Sequence, residues 1–327
     1  MNLPFEALKR KILVKQEAST DPTFGKKPSD RTADELMKSG IVVIDKPSGP
    51  TSHQVSANVK QILHIKKTGH SGTLDPAVTG VLPVALDTGT RIVESLLSAG
   101  KEYVCVMHLH QPVEEKIVKK ELQKYIGKIH QLPPVRSAVK RQWRYRKVYY
   151  VEFLEMKEQD VLFKIGCQAG TYIRKYVHDL GKKLGVGAHM KELRRTKAGP
   201  FKEDSLVTLY DLKDALHYYT EEGKDTELKK VIQPLENAIA HIGKIWVLDS
   251  SVDAICHGAS LKVPGIAKLE SEIQADEPVA LLTLKGELIA TAKSAMNSKT
   301  MLKESKGVAA RLEQVFMQRG TYPKIKK

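Results

Sequence analysis

The stretch that most constrains this chain is TGHSGTLDPAVTGVLPV, which spans residues 68–84. Asp75 is the only acidic residue between Asp45 and Asp87, whereas lysines and histidines are frequent in the same region. A carboxylate on a glycine-rich loop in basic surroundings can meet a phosphate backbone with little added repulsion. It can then act as a nucleophile or as a base. Alternatively, Asp75 and Pro76 cap a turn or a helix.

Neither a nucleotide cofactor nor a metal is expected. The glycine spacing in residues 68–84 matches neither the phosphate-binding loop nor the dinucleotide-binding motif. Cys105, Cys167 and Cys256 are isolated and odd in number, so they form neither a disulfide framework nor a CxxC-type metal site. We expect these cysteines to be small buried side chains.

Strands and helices mix irregularly along the chain, which favours an α+β fold over a doubly wound parallel sheet. Residues 41–44 read as a buried strand, and Thr51 or Ser52 can cap a helix over 53–63. A long glycine-punctuated connection, 68–91, follows. The further expected elements are strands over 102–110, 148–156 and 161–167, helices over 92–97 and 173–184, and a helical segment over 211–240.

The chain divides into an extension, a large domain and a small one. Residues 1–40 mix charges with proline and glycine, and only 5–13 hint at helical spacing, so we read them as an extension. Residues 41–242 form the large domain. Residues 243–327 contain short strands, two of them joined as a hairpin across 285–287, which predicts a small β-barrel.

Charge points to nucleic acid. The 327 residues include 53 Lys+Arg and 38 Asp+Glu, giving a net charge of +15, and this balance favours a polyanionic partner. The longest apolar stretches are far shorter than the roughly 18 residues of a membrane span. The N-terminus lacks the pattern of a secretion signal. We therefore expect an intracellular protein without membrane contact.

Arg174 lies in the first turn of the helix expected over 173–184. A cation there is disfavoured by the helix dipole, so a specific anionic partner is worth seeking, and Asp75 is one candidate. The alternative is an arginine on a solvated helix face.

Two segments concentrate basic residues, 140–147 and 191–202. The first places Lys140, Arg141 and Arg144 among aromatic residues, and such interleaving suits RNA because cations attract phosphate while aromatics stack on bases. The alternative is that each segment is only a solvated charged face.

These motifs together resemble the TruB-type pseudouridine synthases. The similarity rests on motifs that occur in order between residues 41 and 204, namely KPSGPTSH (46–53), GHSGTLDP (69–76), TGVLP (79–83), GKEY (100–103), PPVRSAVK (133–140), GTYIR (170–174) and LRRT (193–196). Residues 100–110 and 185–190 resemble the archaeal and eukaryotic dyskerin-type branch. Residues 253–266 resemble the start of a PUA domain, and the absence of a lysine-rich tail favours an archaeal member.

The resemblance implies a mixed, largely antiparallel sheet with flanking helices, followed by a PUA β-barrel. It also implies an isomerase that converts uridine to pseudouridine in RNA without a cofactor. In that reaction the glycosidic bond breaks, the uracil rotates, and a carbon bond to C1′ forms. The family's catalytic nucleophile falls on Asp75, with attack on sugar or base left open. Its active-site tyrosine falls on Tyr103, and the arginine that pairs with the aspartate falls on Arg174.

Further residues are expected to contact RNA. The resemblance places His53 against the displaced nucleotide and Tyr172 in the pocket, and it implies contacts by His70 and Arg195. In the PUA domain we expect His257, Gly258 and Lys262 to hold the terminal ACA of the guide. Lys175 departs from the family, in which a small polar residue is common at that position; it either touches substrate phosphate or faces solvent.

The dyskerin-type branch is directed by box H/ACA guide RNA. The implied partners are the guide, an rRNA or tRNA substrate, a small scaffold protein, a glycine/arginine-rich-type protein and a kink-turn-binding ribosomal-type protein. The expected location is the cytoplasm of an archaeal cell. The alternatives are a stand-alone tRNA pseudouridine synthase and a non-catalytic RNA scaffold. A glycoside hydrolase is a weaker rival, because that chemistry usually requires two carboxylates.

Overall fold

The computed structural model describes residues 1–133 and 140–324. Most of the motif at 133–140 therefore lies outside the described residues. Within the described part of the chain, the strands form one sheet of ten and one of seven, and no helix is long and apolar enough to cross a membrane. All three cysteines are free and buried, as predicted.

The strands, in chain order, are β1 (Ile12–Val14), β2 (Gly40–Lys46), β3 (Thr68–His70), β4 (Thr79–Leu86), β5 (Lys101–Leu109), β6 (Gly127–Gln131), β7 (Arg144–Lys157), β8 (Asp160–Cys167), β9 (Ala188–Ala198), β10 (Phe201–Lys202), β11 (Gln233–Pro234), β12 (Gly243–Val247), β13 (Leu261–Lys262), β14 (Ile266–Glu270), β15 (Pro278–Leu282), β16 (Leu288–Ser294) and β17 (Val308–Val315). The helices are α1 (Pro4–Ala7), α2 (Ala33–Ser39), α3 (Ser52–Ile62), α4 (Val93–Leu97), α5 (Glu115–Lys124), α6 (Ile173–Lys183), α7 (Leu209–Glu222), α8 (Thr226–Val231), α9 (Asp249–Cys256) and α10 (Ser298–Lys303).

The larger sheet has the order β11-β2-β4-β9-β5-β8-β7-β6, with β3 on β4 and β10 on β9. Its described neighbours pair antiparallel except β4 and β9, which are parallel. Such a mixed sheet does not arise from repeated βαβ units. The predicted α+β class with a largely antiparallel sheet is confirmed.

Helix α3 begins where the sequence predicts. The Thr51 side chain accepts a hydrogen bond from the Gln54 backbone N–H, and the Gln54 side chain accepts one from the Thr51 backbone N–H. This reciprocal arrangement is a capping box, and it satisfies donors that have no partner within the helix. Val55 and Val59 then pack into the core against the sheet. The loop from 47 to 51 and the start of α3 are thereby fixed beside the strand end at Lys46.

Two strands, β3 and β4, lie within the glycine-punctuated stretch 68–91. β4 occupies the centre of the larger sheet, where Val81, Leu82 and Val84 are fully buried. Gly80 and Pro83 hide this strand from local sequence rules, since neither residue favours a strand interior. Burial between two neighbouring strands outweighs that local preference.

The smaller sheet has the order β1-β14-β12-β15-β16-β17-β13 and encloses its own apolar core. The hairpin predicted across 285–287 is present as the antiparallel pair β15 and β16. Strand β1 comes from the N-terminal extension and pairs with β14, Val14 opposite Lys268. The hint of helical spacing over 5–13 is therefore wrong beyond Ala7, because Ile12–Val14 is a strand whose partner lies far along the chain.

Candidate active site

Asp75 lies on the loop between β3 and β4. The residue before it, Leu74, is buried and hydrogen-bonded to Ser52. The backbone N–H of Leu74 donates to Oγ of Ser52 over 2.8 Å, and the Ser52 hydroxyl donates to the Leu74 carbonyl over 3.1 Å. Since Ser52 begins helix α3, this pair of bonds ties the loop to the helix. The Asp75 side chain itself stays about half exposed, at 52%.

A buried lysine holds the other side of the same loop. Lys46 is fully buried, and its Nζ atom donates to the carbonyl oxygens of Pro47, Pro76 and Val78 over 2.8–2.9 Å. Burial lowers the pKa of this amine, and the positive charge of Arg195 lowers it further. The three carbonyls therefore stabilise a cation that lacks water, and the cation in turn fixes the backbone around Asp75.

Arg174 forms an ion pair with Asp75 through its Nη2 atom and the carboxylate Oδ2. Tyr172 is the residue that precedes α6, so Arg174 lies in the first turn of that helix. The helix dipole disfavours a cation at this position, and the ion pair with Asp75 compensates for it. The anionic partner sought from the sequence is therefore Asp75.

Tyr103 faces the same cavity from strand β5. It lies opposite Arg195 in the antiparallel pairing of β5 and β9, and the Arg195 guanidinium lies beside its hydroxyl. Burial raises the pKa of Tyr103, and the positive charge of Arg195 partly opposes that shift. The hydroxyl is thus protonated near neutral pH, next to a group that favours its ionised form.

The cavity has a volume of about 440 Å³. Its walls come from four parts of the chain: the loop 72–75 with Val78, residues Leu97, Lys101 and Tyr103, the segment 168–174, and Met190, Leu193 and Arg195 of β9. Asp75 is the only acid among the described residues that line it. A single carboxylate among cations and two tyrosines can act as a nucleophile, and the described lining residues offer no second acid for paired acid–base catalysis.

Two of the lining cations, Arg195 and Lys101, are buried in the cavity wall. Arg195 is 1% exposed and donates to the carbonyl oxygens of Val81 over 2.7 Å and Gly72 over 2.9 Å. Lys101 is buried and donates to three carbonyls at the end of α4, at 2.7–3.2 Å. Burial, together with the charge of Arg195, lowers the pKa of Lys101 to about 7. Arg195 thus lines the cavity from a buried position, where its guanidinium bonds backbone carbonyls and lies beside the Tyr103 hydroxyl, and its expected contact with RNA stays a prediction.

The two histidines expected to contact RNA lie together outside the Asp75 cavity. His53 and His70 contact each other edge to face, with ring centroids 5.0 Å apart. Both line a separate basic groove with Lys60, Lys66 and Lys67, and neither is among the described residues that line the Asp75 cavity. Burial lowers the pKa of His70, as do the charges of His53 and Arg195. Tyr172, by contrast, lines the cavity as expected.

The remaining expected RNA contacts are on the surface. Lys140 and Arg141 are exposed beside the start of β7, and Arg144 is partly exposed with its Nη2 atom donating to the Lys140 carbonyl. On the smaller domain, His257, Gly258 and Lys262 are exposed at the end of α9 and on β13. His257 contacts Asp253 one turn earlier, with 3.3 Å between Nδ1 and Oδ1.

The sequence analysis did not identify three buried polar residues that support the site. Lys46 and Lys101 are buried lysines at strand ends, and Gln131 is a buried glutamine on β6. The Gln131 amide donates to the Tyr172 carbonyl over 3.2 Å and accepts from the Tyr172 N–H over 3.1 Å. The available signal for Lys46 was its place two residues after the apolar run 41–44, at the end of a strand expected to be buried.

Family comparisons cover nearly the whole chain. Residues 60–173 match the N-terminal domain of TruB family pseudouridylate synthases, and 174–240 match the tRNA pseudouridylate synthase B C-terminal domain. Residues 243–316 match the PUA domain, and 2–56 match the DKCLD domain.

Full-length relatives and solved structures are similar to this chain. A protein of Pyrococcus horikoshii named "Probable tRNA pseudouridine synthase B" is 53% identical over 320 residues, covering 97% of this chain and 96% of its own length. One of the same name from Methanopyrus kandleri is 49% identical, covering 98% and 95%. A chain in a crystal structure of a Cbf5-Nop10-Gar1 complex is 51% identical with a TM-score of 0.95, covering 99% of both chains. A chain in an H/ACA RNP bound to a substrate RNA containing 2′-deoxyuridine is 49% identical with a TM-score of 0.93, again covering 99% of both.

Proposed function

The chain belongs to the TruB family of pseudouridylate synthases, and on that premise we propose that it isomerises uridine to pseudouridine in RNA as the catalytic subunit of a box H/ACA ribonucleoprotein. The observation that carries this proposal is the Asp75–Arg174 ion pair in a cavity where Asp75 is the one acid among the described lining residues. A volume of about 440 Å³ suits one nucleotide displaced from its strand.

Asp75 serves as the nucleophile in this proposal. The bond between N1 of uracil and C1′ breaks, the freed base rotates, and a bond between C5 and C1′ forms. The proton leaves C5 and a proton is taken up at N1, so the product is an isomer of the substrate. Arg174 orients the attacking carboxylate through charge-assisted hydrogen bonds.

Tyr103 stacks on the displaced uracil and takes part in removal of the C5 proton. Its hydroxyl must first lose its own proton to act as a base, and burial disfavours that loss. Arg195 is the neighbouring charge that favours the phenolate. We therefore assign Arg195 a positioning role toward Tyr103 rather than a contact with phosphate.

The assembly follows from the solved relatives. We propose that a box H/ACA guide RNA selects the target in rRNA or tRNA, and that exposed residues His257, Gly258 and Lys262 of the PUA domain hold the end of that guide. The proposed protein partners correspond to Nop10, the small scaffold, and Gar1, the glycine/arginine-rich-type protein, because the similar chain comes from a Cbf5-Nop10-Gar1 complex. A kink-turn-binding ribosomal-type protein completes the set. The full-length relatives are archaeal, and the proposal includes a cytoplasmic location.

A guide-independent tRNA activity is the second candidate, because the full-length relatives carry the name of a tRNA enzyme. Pseudouridine mapping of tRNA and rRNA, with and without an H/ACA guide and the partner proteins, separates the two. Modification of tRNA by the chain alone supports the second candidate, and modification that requires the guide supports the first.

Replacement of the nucleophile tests the proposal directly. We expect Asp75→Asn to abolish pseudouridine formation while RNA binding persists. Asp204→Asn, a change of an exposed aspartate outside the cavity, is the matched control and should keep full activity. Undiminished pseudouridine formation by Asp75→Asn would remove the catalytic assignment and leave the non-catalytic scaffold as the better reading.

A further inference from the structure

Three aromatic rings form a stack on the exposed side of the β6–β7 hairpin. His130 lies directly opposite Tyr145 in the antiparallel pairing, and their ring centroids are 4.5 Å apart with an interplanar angle of 22°. Trp143 stacks on His130 at 4.6 Å and 26°. Lys128 adds a cation over the Tyr145 ring, 3.9 Å from its centroid. We call these three rings the aromatic stack.

The aromatic stack is open to solvent. Trp143 and Tyr145 are each 58% exposed, and His130 is exposed as well. Exposed aromatic clusters of this kind are informative, because folding gains little from rings that stay hydrated. Cross-strand stacking contributes to a hairpin, but only on the order of 0.2–1 kcal/mol per pair.

A basic groove adjoins the stack. It has a volume of about 560 Å³ and lies between β6 and the helices α5 and α6. Its lining residues include Trp143 and His130, one aspartate, Asp179, and five lysines: Lys124, Lys128, Lys175, Lys182 and Lys183. Asp179 is paired with Lys175, so the groove offers an excess of positive charge to a polyanion.

A direct structural link joins the stack to the Asp75 cavity. Gln131 follows His130 on β6, and both of its amide atoms bond the backbone of Tyr172. Tyr172 lines the cavity and precedes the helix that carries Arg174. Consecutive strand residues point to opposite faces, so the stack lies on the outer face of β6, one residue along the strand from the glutamine that holds Tyr172 in the cavity wall.

We propose that the aromatic stack binds an unpaired RNA base beside the catalytic cavity, with phosphates held by the lysines of the adjoining groove. Planar bases stack on aromatic side chains without regard to sequence, and cations alongside track the backbone. Bases within a duplex are already stacked on each other, so the site selects single-stranded nucleotides. The inference rests on the proposed function in that RNA is the substrate.

Tryptophan fluorescence gives a direct readout. The chain has two tryptophans, Trp143 and Trp246, so the variant Trp246→Phe retains Trp143 as the sole reporter. We expect a short oligouridylate to quench this emission and a duplex RNA of equal length to leave it unchanged. Equal quenching by both RNAs, or by neither, would overturn the proposal.

Affinity and stability measurements on the full chain separate binding from a structural role. We expect Trp143→Ala to weaken oligouridylate binding about tenfold, since stacking contributes about 1–3 kcal/mol per base, and Trp143→Phe to restore most of that loss. The matched control is Tyr210→Ala, which removes an aromatic ring that is 80% exposed on α7. An affinity loss for Trp143→Ala accompanied by an equal loss from the control, or by a large fall in melting temperature, would overturn the assignment.

Parallel assays keep the two proposals distinguishable. If wild-type protein forms pseudouridine and Trp143→Ala binds RNA normally, the stacking site is wrong while the proposed function stands. If Trp143→Ala binds RNA normally but no longer binds one of the partner proteins, the surface belongs to a protein instead. If no pseudouridine forms with any guide or partner while Trp143 is still quenched by single strands, the binding site stands and the proposed function fails.

Discussion

The carboxylate of Asp75 and the guanidinium of Arg174 are in contact although both side chains remain about half exposed. An ion pair so open to water contributes little to folding, because solvent screens it. The ion pair instead orients the Asp75 carboxylate within the cavity. A gain in stability therefore does not account for the cation in the first turn of helix α6.

Arg174→Ala is expected to lower the turnover number for pseudouridine formation by about 100-fold, because a misplaced reacting group costs rates of that order. The Kd for RNA and the melting temperature should change little. Steady-state kinetics gives the turnover number, filter binding gives the Kd, and thermal denaturation gives the melting temperature. Arg174→Lys keeps the positive charge but lacks the planar guanidinium, so its turnover number should lie between those of the wild type and Arg174→Ala. A loss of binding as large as the loss of turnover would show that Arg174 supplies affinity instead of orientation.

Gly80→Ala should strongly destabilise the large domain. Gly80 has φ of +101°, and a Cβ atom there would lie 2.2 Å from the backbone carbonyl oxygen of Arg195, its neighbour in the parallel pairing of β4 and β9. We expect a loss of at least about 3 kcal/mol in the free energy of unfolding, measured by denaturant titration.

Gly49→Ala is the matched control for that substitution. Gly49 has φ of +111°, but a Cβ atom there would meet nothing within 4 Å. Its free energy of unfolding should therefore fall only by the cost of placing alanine in this backbone conformation, about 1–3 kcal/mol. If both substitutions lower the free energy of unfolding equally, the close contact between β4 and β9 at Gly80 does not contribute to the effect.

Replacement of Lys140, Arg141 and Arg144 together by glutamine should weaken RNA binding and flatten its salt dependence. Each cation that neutralises a phosphate contributes about 0.7–0.9 to the slope of log K against log salt, so the slope should fall by about 2–3. Binding isotherms at several salt concentrations give this slope. An unchanged slope would show that these three residues are solvated and do not contact RNA phosphates.

A triple glutamine variant on the far helices controls for net charge alone. It changes the exposed lysines Lys213, Lys224 and Lys230 of α7, α8 and their connection. Its salt slope should match that of the wild type.

His241 should make the protein sensitive to acid. Its ring is buried, with Nε2 3.0 Å from the Ser95 carbonyl oxygen, and burial lowers its pKa to about 4. In the unfolded chain its pKa is near 6.5, so the unfolded state binds more protons between these values. Stability is therefore complete above about pH 6.5 and falls by about 3 kcal/mol as the pH drops toward 4.

His241→Gln removes the titrating group and should flatten this dependence. Urea titrations of both proteins at pH 4.5 and pH 7 compare the two slopes. A wild-type protein and a variant that lose equal stability over that interval would exclude His241 as the source.

Local patterns in the sequence predict the parts of the fold that are locally encoded. The capped helix α3 and the short strands of the smaller domain follow from cap residues, periodicity and turn residues. Strands β4 and β9 do not. Gly80 and Pro83 punctuate β4, and charged residues fill β9, so their strand character depends on burial between partners distant in sequence.

The site shows the same division. Asp75 and Arg174 could be paired from a resemblance and from an unfavourable cation at a helix start, and the structure brings them together; their catalytic roles stay predictions. Lys46, Lys101 and Arg195 could not be identified as buried, because a lysine or arginine in a sequence gives no sign that backbone carbonyls will solvate it. His53 and His70 were expected to contact RNA, and the structure places both in a groove beside the cavity, so that expectation stays a prediction.

The pairing of β1 with β14 has a consequence for biosynthesis. Val14 leaves the ribosome about 250 residues before its partner Lys268, and at 5–20 residues per second this interval lasts roughly 10–50 s. During that time the strand has an unpaired edge, so the nascent chain must keep it from pairing elsewhere. The sheet of the smaller domain can therefore be completed only after most of the polypeptide has been synthesised.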